Sequence, residues 1–223
     1  MPYEFDKIAR TYDRLNRVMT LGLDRRWRRY AAHAVCRDAA CCVSILDVAC
    51  GTGDMILSLM QTRHAASLQV TGVDLSEEMM SIARAKAPAT YMTGDAEHLP
   101  FEDGTFDAVT CAFGVRNFVH LELGLSEMLR VLKPGGRMVI LELATPDSPL
   151  IRPFYNLYTK HIIPWLGSRI AGNREAYTYL PESIAHFPKG DAFLKILNSQ
   201  FSILNCRHQR LTFGVCRMYT VEK

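Results

Sequence analysis

From Val43 onward, short apolar runs alternate with stretches of helical periodicity. The apolar runs are VSILDVA, LQVTGVDL, FDAVTCAF and GRMVILEL, and the helical stretches between them are MILSLMQ, EEMMSIARAK and LELGLSEMLRVL. Strands of a parallel sheet that is covered by helices bury both faces, and such strands read as continuous apolar runs. The alternation therefore predicts an α/β fold with a doubly wound, mainly parallel sheet.

Capping and breaking residues indicate where some of these elements end. Ser76 precedes two glutamates, which is typical of a helix N-cap, and Pro88 marks the end of that helix. The segment KPGG at 133–136 is expected to close the next helix through Leu132 and to turn the chain into a strand. Near the C-terminus, FSILNCR and RLTFGVCRMYTV are separated by only a few polar residues, which predicts an antiparallel pair at the sheet edge.

The chain shows no internal repeat and no low-complexity linker, so we expect residues 1–223 to form a single domain. Two segments fall outside the alternating core, and both are positioned to cover one face of it. Residues 1–42 predict a helical cover, with apolar residues at helical spacing, and the aromatic-rich residues 145–188 predict a helical lid. Residues 43–144 form the predicted core, and residues 189–223 the last helix and the C-terminal hairpin. The apolar face of the N-terminal cover comprises Phe5, Ile8, Tyr12, Leu15 and Met19.

Composition limits the classes of partner. The formal net charge of +3 is too close to balance to favour nucleic acid, although Arg25, Arg26, Arg28 and Arg29 form a local basic cluster. The N-terminus lacks the apolar core of a signal peptide, so we expect a cytoplasmic protein. The seven cysteines show no CxxC pair and no histidine at zinc spacing, which predicts reduced thiols and no metal site.

The stretch ILDVACGTGD runs a predicted strand directly into a glycine turn, where ligands bind in open α/β sheets. The turn Gly51–Thr52–Gly53 lacks the lysine of a phosphate-binding loop and the third glycine of a dinucleotide-binding turn. Asp54 would repel a pyrophosphate, whereas the carboxylate suits a ligand that carries an ammonium or a sulfonium. S-adenosylmethionine carries both of these charges.

Acids also follow the next two predicted strands. Asp74 ends the second strand, where it can accept hydrogen bonds from both hydroxyls of a ribose. Asp95 follows the third predicted strand, a short one that ends before Gly94, and its side chain and a neighbouring backbone N–H can recognise adenine there. A glycine turn alone is a weak signal, but three strand ends with the same implication indicate S-adenosylmethionine.

These motifs carry a resemblance to known families. DVACGTGD, GVDLS, GDAEHLPFEDGTFDAV and LKPGGRMVILE resemble the class I S-adenosylmethionine-dependent methyltransferases. FDKIARTYDRLNRVMTLGLDRRWRR, AFGVRNF and GNREAYTYLPESIAHFP resemble the C-methyltransferases of menaquinone and ubiquinone biosynthesis, and the similarity covers nearly the whole chain. The resemblance implies a Rossmann-like sheet of seven strands with an antiparallel C-terminal strand. The implied cofactor-binding residues are Gly51, Thr52, Gly53, Asp54, Asp74, Leu75, Asp95, Ala96 and Cys111.

The resemblance further implies methylation of a ring carbon in a prenylated quinol, and demethylmenaquinol is the expected substrate. Arg116 and Asn117 follow the fourth predicted strand and are the implied catalytic residues. The arginine would stabilise a phenolate and lower its pKa, while the asparagine would orient the oxygen. The alternative is that Arg116 pairs with an acid on a neighbouring loop and Asn117 caps the next helix. Water beside Arg116 is the preferred proton acceptor, ahead of the side chains of His161, Tyr177, Tyr179 and His186.

Several alternatives stay open at this point. The same fold could serve the benzoquinol of the ubiquinone pathway or another small lipid, and a cofactor-binding assembly protein without turnover belongs to a different class. Aromatic and basic residues in the segment IRPFYNLYTKHIIPWLGSRI, together with the arginine cluster, suggest a peripheral contact with the inner face of the membrane. The simpler interpretation of this segment is that the lid packs its apolar face on the core. Formation of a homodimer is a further hypothesis.

Overall fold

The computed structural model describes residues 6, 9–36, 44–62, 68–163, 183–201 and 205–223. Seven strands form a single sheet in these residues. They are β1 Ser44–Val48, β2 Gln69–Asp74, β3 Thr90–Thr93, β4 Phe106–Ala112, β5 Leu132–Leu143, β6 Asn205–Leu211 and β7 Cys216–Glu222. The strand order is β3-β2-β1-β4-β5-β7-β6, and β7 runs antiparallel to both of its neighbours while the other pairs are parallel. The predicted doubly wound sheet with an antiparallel C-terminal strand is confirmed.

The main described helices flank this sheet. They are α1 Ala9–Met19, α2 Leu23–Val35, α3 Asp54–Met60, α4 Glu77–Lys86, α5 Leu121–Arg130, α6 Arg152–Leu157 and α7 Asp191–Phe201. A π-helical turn, Tyr158–Ile162, follows α6 directly. None of the described helices is long and apolar enough to cross a bilayer.

Alternate residues of each central strand pack into two separate cores, as expected for a sheet covered on both faces. Ile45 of β1 packs with Trp27 of α2 on one face. Leu46, the next residue, packs with Leu125 of α5 on the other face, where Phe193 of α7 also lies. The strand order reverses between β1 and β4, which places a ligand crevice at the carboxyl ends of these two strands.

The helix boundaries agree with the sequence at one place and differ at another. Ser76 caps α4 as predicted, because its side chain accepts a hydrogen bond from the backbone N–H of Met79 at 3.1 Å. The prediction that α5 runs through Leu132 is wrong, since the helix ends at Arg130 and β5 begins at Leu132. The KPGG segment is an irregularity inside the strand, with Gly135 at a φ of 77°, and the register against β4 shifts across it.

The C-terminal hairpin is confirmed, but its division in the sequence is wrong. The polar residues His208 and Gln209 lie inside β6 rather than between two strands, and Phe201 ends α7. β6 is an edge strand whose polar side chains face solvent. Polar residues in the sequence were therefore not a sign of a turn there. The connecting turn is Thr212–Gly214, in which Phe213 has a φ of 57°.

The N-terminal cover and the lid meet at the crevice. Leu15 of α1 packs against Ile163, and Tyr12 packs against Met79 of α4. The hydroxyl of Tyr158 donates to the carbonyl oxygens of Val18 and Met19 at 3.2 and 3.3 Å. Phe5 and Ile8 of the predicted apolar face lie outside the described residues.

Candidate functional site

A cavity of about 340 Å³ lies at the carboxyl ends of β1, β2 and β4, and we call it the acidic cavity. Asp6, Asp74, Asp95 and Glu97 line it, and no basic residue does so among the residues that the structure describes. Four carboxylates in a lining without lysine or arginine favour a positively charged ligand and disfavour a phosphate. The remaining lining residues are Ala49, Leu75, Ser76, Gly94, Ala96, Gly114, Asn117, Phe118 and Val119.

Asp74 is held in place by two backbone donors. Its Oδ2 accepts from the N–H of Gly51 at 2.8 Å and its Oδ1 accepts from the N–H of Ser76 at 2.9 Å. Burial raises the pKa of Asp74, against the lowering effect of these hydrogen bonds. Each carboxylate oxygen has more than one lone pair, so the fixed carboxylate can still accept from a pair of ribose hydroxyls.

Asp95 and Glu97 are positioned on the loop that follows β3. Oδ1 of Asp95 accepts from the N–H of Glu97 at 2.9 Å. Glu97 in turn accepts from the N–H of His120 at 2.7 Å and lies 2.8 Å from the imidazole Nδ1 of that residue. Leu75, which is 62% exposed beside this loop, supplies an apolar surface against which a flat base can lie.

The glycine turn has the open geometry that a bulky ligand needs. Gly51 has a φ of 53°, and a Cβ built on it would meet nothing within 4 Å. Gly53 has a φ of 77°, and a Cβ there would come within 2.9 Å of the Cβ of Ala83. Glycine is therefore required at Gly53 for packing, whereas the space above Gly51 is left for a ligand.

Thr52 and Asp54 face the protein rather than the acidic cavity. The hydroxyl of Thr52 donates to Asp13 of α1 at 2.5 Å. Asp54 pairs with Lys86 at 2.7 Å and lies 3.5 and 3.8 Å from the guanidinium groups of Arg17 and Arg28. Burial alone would raise the pKa of Asp54, but these cations outweigh it and lower the pKa. Asp54, which the sequence suggested as a partner for a positively charged ligand, is thus neutralised by cationic side chains of the protein.

A second cavity of about 260 Å³, which we call the apolar cavity, lies between α1, α2 and the lid. Its wall is formed largely by apolar and aromatic side chains. Burial raises the pKa of Tyr155 in this wall to about 12, against the lowering effect of Arg116. Tyr155 therefore stays protonated at neutral pH. Other lining residues are Tyr12, Met19, Leu21, Trp27, Phe113, Leu143, Phe154, Tyr158 and Ile163.

The segment Phe113–Asn117 after β4 separates the two cavities. Phe113 and Arg116 line the apolar cavity, while Gly114 and Asn117 line the acidic cavity. Gly114 packs closely against the strand ends, since a Cβ there would lie 2.7 Å from the Cβ of Ala49 and 2.8 Å from Sγ of Cys111. Both cavities are therefore lined by residues of this one turn.

Two residues beside this wall have a strained backbone. Ala49 at the end of β1 has a φ of 52°, and Phe113 at the end of β4 has a φ of 64°. Such angles are uncommon for residues other than glycine, and they concentrate at functional sites. Ala49 lines the acidic cavity, and Phe113 lines the apolar cavity.

Arg116 forms a buried ion pair with Glu142 at the end of β5. Nη1 donates to Oε1 of Glu142 at 2.5 Å and to the carbonyl oxygen of Phe113 at 2.7 Å. The side chain of Arg116 is 6% exposed and that of Glu142 is 1% exposed. Arg116 thus pairs with an acid, as in the alternative interpretation, but the acid ends a strand and the pair still borders the apolar cavity. The catalytic role of Arg116 stays a prediction.

Asn117 does not cap the next helix, since His120 occupies the N-cap position of α5. Its Nδ2 lies 3.5 Å from the carbonyl oxygen of Phe113. Of the side chains suggested as proton acceptors, His161 and His186 are exposed, and His186 lines a shallow depression that also includes Arg116. Tyr177 and Tyr179 lie outside the described residues.

The structure brings together most of the predicted cofactor-binding residues. Asp74, Leu75, Asp95 and Ala96 line the acidic cavity, and Gly51 touches it through its bond to Asp74. The others do not line it: Thr52 and Asp54 contact side chains of the protein, Gly53 packs against Ala83, and Cys111 is buried behind Gly114.

Sequence reasoning did not assign Asp6 or Glu97 to the acidic cavity, and it also missed the roles of Glu142 and Asp13. Glu142 could have been noticed as a carboxylate inside the apolar run MVILEL, whereas nothing near Asp13 in the sequence indicates its contact with Thr52.

Comparisons with known proteins agree with this geometry. The ubiE/COQ5 methyltransferase family matches residues 3–223. Demethylmenaquinone methyltransferase of Deinococcus radiodurans is 42% identical over 224 residues, covering 98% of this chain and 90% of the relative. The Thermus thermophilus protein of the same name is 43% identical over 98% of this chain and 99% of the relative. The ubiquinone/menaquinone biosynthesis C-methyltransferase UbiE of Geotalea daltonii is 42% identical, over 98% and 94%.

Solved structures show the same fold at low sequence identity. A SAM-dependent methyltransferase from Thermotoga maritima has a TM-score of 0.67 at 18% identity, and each chain is covered completely. The plantazolicin methyltransferase BpumL, solved in complex with SAH, has a TM-score of 0.67 at 13% identity, covering 98% of this chain and 95% of that chain. The predicted class I methyltransferase fold is confirmed.

Proposed function

This chain belongs to the ubiE/COQ5 methyltransferase family, and we propose that it methylates a ring carbon of demethylmenaquinol, a naphthoquinol with a prenyl tail. It is a methyltransferase that uses S-adenosylmethionine and acts as a C-methyltransferase of ubiquinone or menaquinone biosynthesis. The names of the Deinococcus and Thermus relatives, both demethylmenaquinone methyltransferases, support the naphthoquinol rather than the benzoquinol as the substrate. The name of the Geotalea relative covers both quinone branches.

The observation that carries this proposal is that one turn, Phe113–Asn117, lines two unlike cavities. The acidic cavity suits a cationic nucleoside, because Asp74 presents a fixed carboxylate to a ribose and four acids favour a sulfonium. The apolar cavity suits an aromatic ring with a hydrocarbon substituent. The turn Phe113–Asn117 lines both cavities, so we place the meeting of donor and acceptor beside this turn, where the sulfonium methyl group and the ring carbon can come into direct contact.

The reaction needs help at the ring because carbon is a poor nucleophile. S-adenosylmethionine supplies an electrophilic methyl group when bound. Loss of a phenolic proton raises the electron density on the neighbouring ring carbon, and the ring later loses the hydrogen that the methyl group replaces. The protein must therefore stabilise a phenolate oxygen while it holds the ring carbon close to the donor.

Arg116 and Asn117 are the residues that we assign to this oxygen. Glu142 fixes the guanidinium of Arg116 at the wall of the apolar cavity and offsets much of its charge. The arginine then acts as an oriented hydrogen-bond donor, which lowers the pKa of a phenol in a poorly hydrated site. Asn117 lies on the donor side of the same turn and orients the oxygen.

Water accepts the phenolic proton in this proposal. Tyr155 cannot do so at neutral pH, because burial raises its pKa to about 12. A protonated Tyr155 is instead suited to donate a hydrogen bond to a ring oxygen.

Methyl transfer from labelled S-adenosylmethionine to two short-chain quinols tests the proposal. One substrate is the demethylated naphthoquinol and the other is the demethylated benzoquinol, and both are kept reduced. Label in the naphthoquinol alone supports the proposal, whereas label in the benzoquinol alone assigns the chain to the ubiquinone branch. Tight binding of S-adenosylmethionine without transfer to either ring would contradict enzymatic turnover and favour an assembly protein.

A further inference from the structure

Four large apolar side chains stand out from the surface around the mouth of the apolar cavity, and we call them the apolar collar. Leu21, Leu150, Phe154 and Phe213 are 74, 78, 74 and 76% exposed. Leu21 and Phe154 line the cavity themselves, while Leu150 and Phe213 are the chain neighbours of the lining residues Ile151 and Thr212. The collar is therefore assembled from three separate parts of the chain: the α1–α2 turn, the lid and the β6–β7 turn.

Two members of the collar are held in an unfavourable backbone conformation. Leu21 has a φ of 53° and Phe213 has a φ of 57°, angles that bulky residues rarely adopt. A hydrogen bond of 2.8 Å from Nε1 of Trp27 to the hydroxyl of Thr212 anchors the β6–β7 turn to α2. Strain and exposure of apolar surface both disfavour these residues in water, so their placement indicates contact with an apolar partner.

The size of the apolar cavity is also informative. Pockets that enclose a drug-sized ligand have volumes of roughly 300–1,000 Å³. A cavity of about 260 Å³ can hold the ring of a prenylated quinol but not a long tail as well. The tail must leave through the mouth, where it passes the apolar collar.

The charges around the collar complement an anionic surface. Arg25, Arg26 and Arg29 are exposed on α2, which begins two residues after Leu21, and Arg152 is exposed beside the lid residues. Arg28, counted with the basic cluster in the sequence, is instead buried and pairs with Asp24 at 2.7 Å. Burial of Asp24 removes the one acid within this stretch of α2 from the surface.

We propose that the apolar collar and the exposed arginines of α2 dock the protein on a bilayer with anionic headgroups, so that the quinol ring enters the cavity while its tail stays in the lipid. The inference that the quinol enters from the lipid rests on the proposed function. Docking on the bilayer can be measured without any methyl transfer. Apolar side chains at the headgroup boundary with basic residues beside them are the features that bind a protein to such a surface.

Vesicle binding by the full chain tests the proposal. The vesicles contain phosphatidylcholine either alone or mixed with phosphatidylglycerol, and the test variant combines Phe213→Asn with Leu150→Ser. Asparagine tolerates the left-handed backbone at Phe213, so the variant should fold, and neither residue lines the cavity. We expect the wild type to prefer anionic vesicles and the variant to bind them about tenfold more weakly or worse.

The matched control is Leu123→Ser on α5, which is 41% exposed and lies on the opposite face of the sheet from α2. This control should bind vesicles like the wild type. Transfer to a soluble short-chain quinol should be unchanged in the collar variant, whereas transfer to a long-chain quinol in vesicles should fall with the loss of binding.

Failure of the two proposals can be told apart. No binding of the wild type to anionic vesicles, or equal binding of the collar variant, would overturn the docking proposal even if the soluble quinol is methylated. A change from dimer to monomer in the collar variant, without vesicle binding by the wild type, would identify the collar as a contact between two copies of the chain and would also overturn it. Vesicle binding that depends on the collar would support docking even if neither quinol were methylated.

Discussion

Arg116 donates to Glu142 at 2.5 Å, and both side chains are almost completely buried. The pair joins the turn after β4 to the end of β5, so it fixes the wall that separates the two cavities. Removing one member of a buried ion pair leaves an unpaired charge and typically costs about 3–5 kcal/mol. The structural and the chemical role of Arg116 must therefore be separated by comparing variants of Arg116 with variants of Glu142.

Arg116→Gln and Glu142→Gln provide this comparison. We expect each variant to lower the free energy of unfolding by about 3 kcal/mol, because each leaves a buried charge. The kcat of Arg116→Gln should fall roughly a hundredfold below that of Glu142→Gln, since only the arginine donates to the phenolate. Urea unfolding and steady-state kinetics on the folded variants measure the two effects. Equal kcat values in the two variants would show that Arg116 acts only through the structure.

Asp74→Asn tests the acidic cavity. The carboxylate accepts backbone N–H groups on both oxygens, and an amide can replace only one of these acceptors. We expect the dissociation constant for S-adenosylmethionine to rise about tenfold or more, as measured by calorimetry. Asp103→Asn, which changes an exposed acid paired with Arg130, is the control and should bind normally. Unchanged affinity in Asp74→Asn would remove this residue from the cofactor site.

Gly114→Ala tests the close packing of the turn that lines both cavities. The φ of Gly114 is −101°, so alanine is not strained there, but its Cβ would lie 2.7 Å from the Cβ of Ala49. We expect the crowding to shift the wall and cost about 1–3 kcal/mol in stability, with weaker cofactor binding. Gly135→Asn is the control, because it changes a glycine with open space around it to a residue that tolerates a φ of 77°. Wild-type stability and affinity in Gly114→Ala would show that a methyl group fits beside Ala49 without shifting the turn.

Much of this arrangement follows from local sequence. The apolar runs ending in Val48 and Asp74 place the glycine turn and the acid proposed to bind a ribose at one edge, and Ser76 caps α4 as predicted. Pairings between distant segments leave no such local signal. The buried position of Arg28 depends on Asp24 and on the packing of α2, and the end of α5 depends on the pairing of Leu132 with Phe106 of β4. In both cases tertiary contacts outweighed the local pattern.

Asp47 beneath the glycine turn predicts a pH dependence of stability. Burial raises its pKa from the ordinary value of 3.8 to about 7, although the hydroxyl of Thr110 donates to it at 2.6 Å. Between these values the folded chain keeps a proton that the unfolded chain has lost, so this group makes the protein less stable as pH rises through the window. The total loss is on the order of 4 kcal/mol and is complete above the folded pKa.

Asp47→Asn removes this titration while it keeps an oxygen for Thr110. Urea unfolding on either side of the window should show the variant gaining stability relative to the wild type as the pH rises. A constant difference between the two proteins across the window would contradict the raised pKa.

The central claim is transfer of a methyl group to a ring carbon beside the turn Phe113–Asn117, which lines both cavities. The most direct measurement uses S-adenosylmethionine with a ¹³C-labelled methyl group, one turnover on a short-chain demethylated naphthoquinol, and NMR of the product. We predict that the label appears as a methyl group on the ring carbon beside a phenolic oxygen. A label bound to oxygen would contradict the claim, as would an unlabelled ring in the presence of bound cofactor.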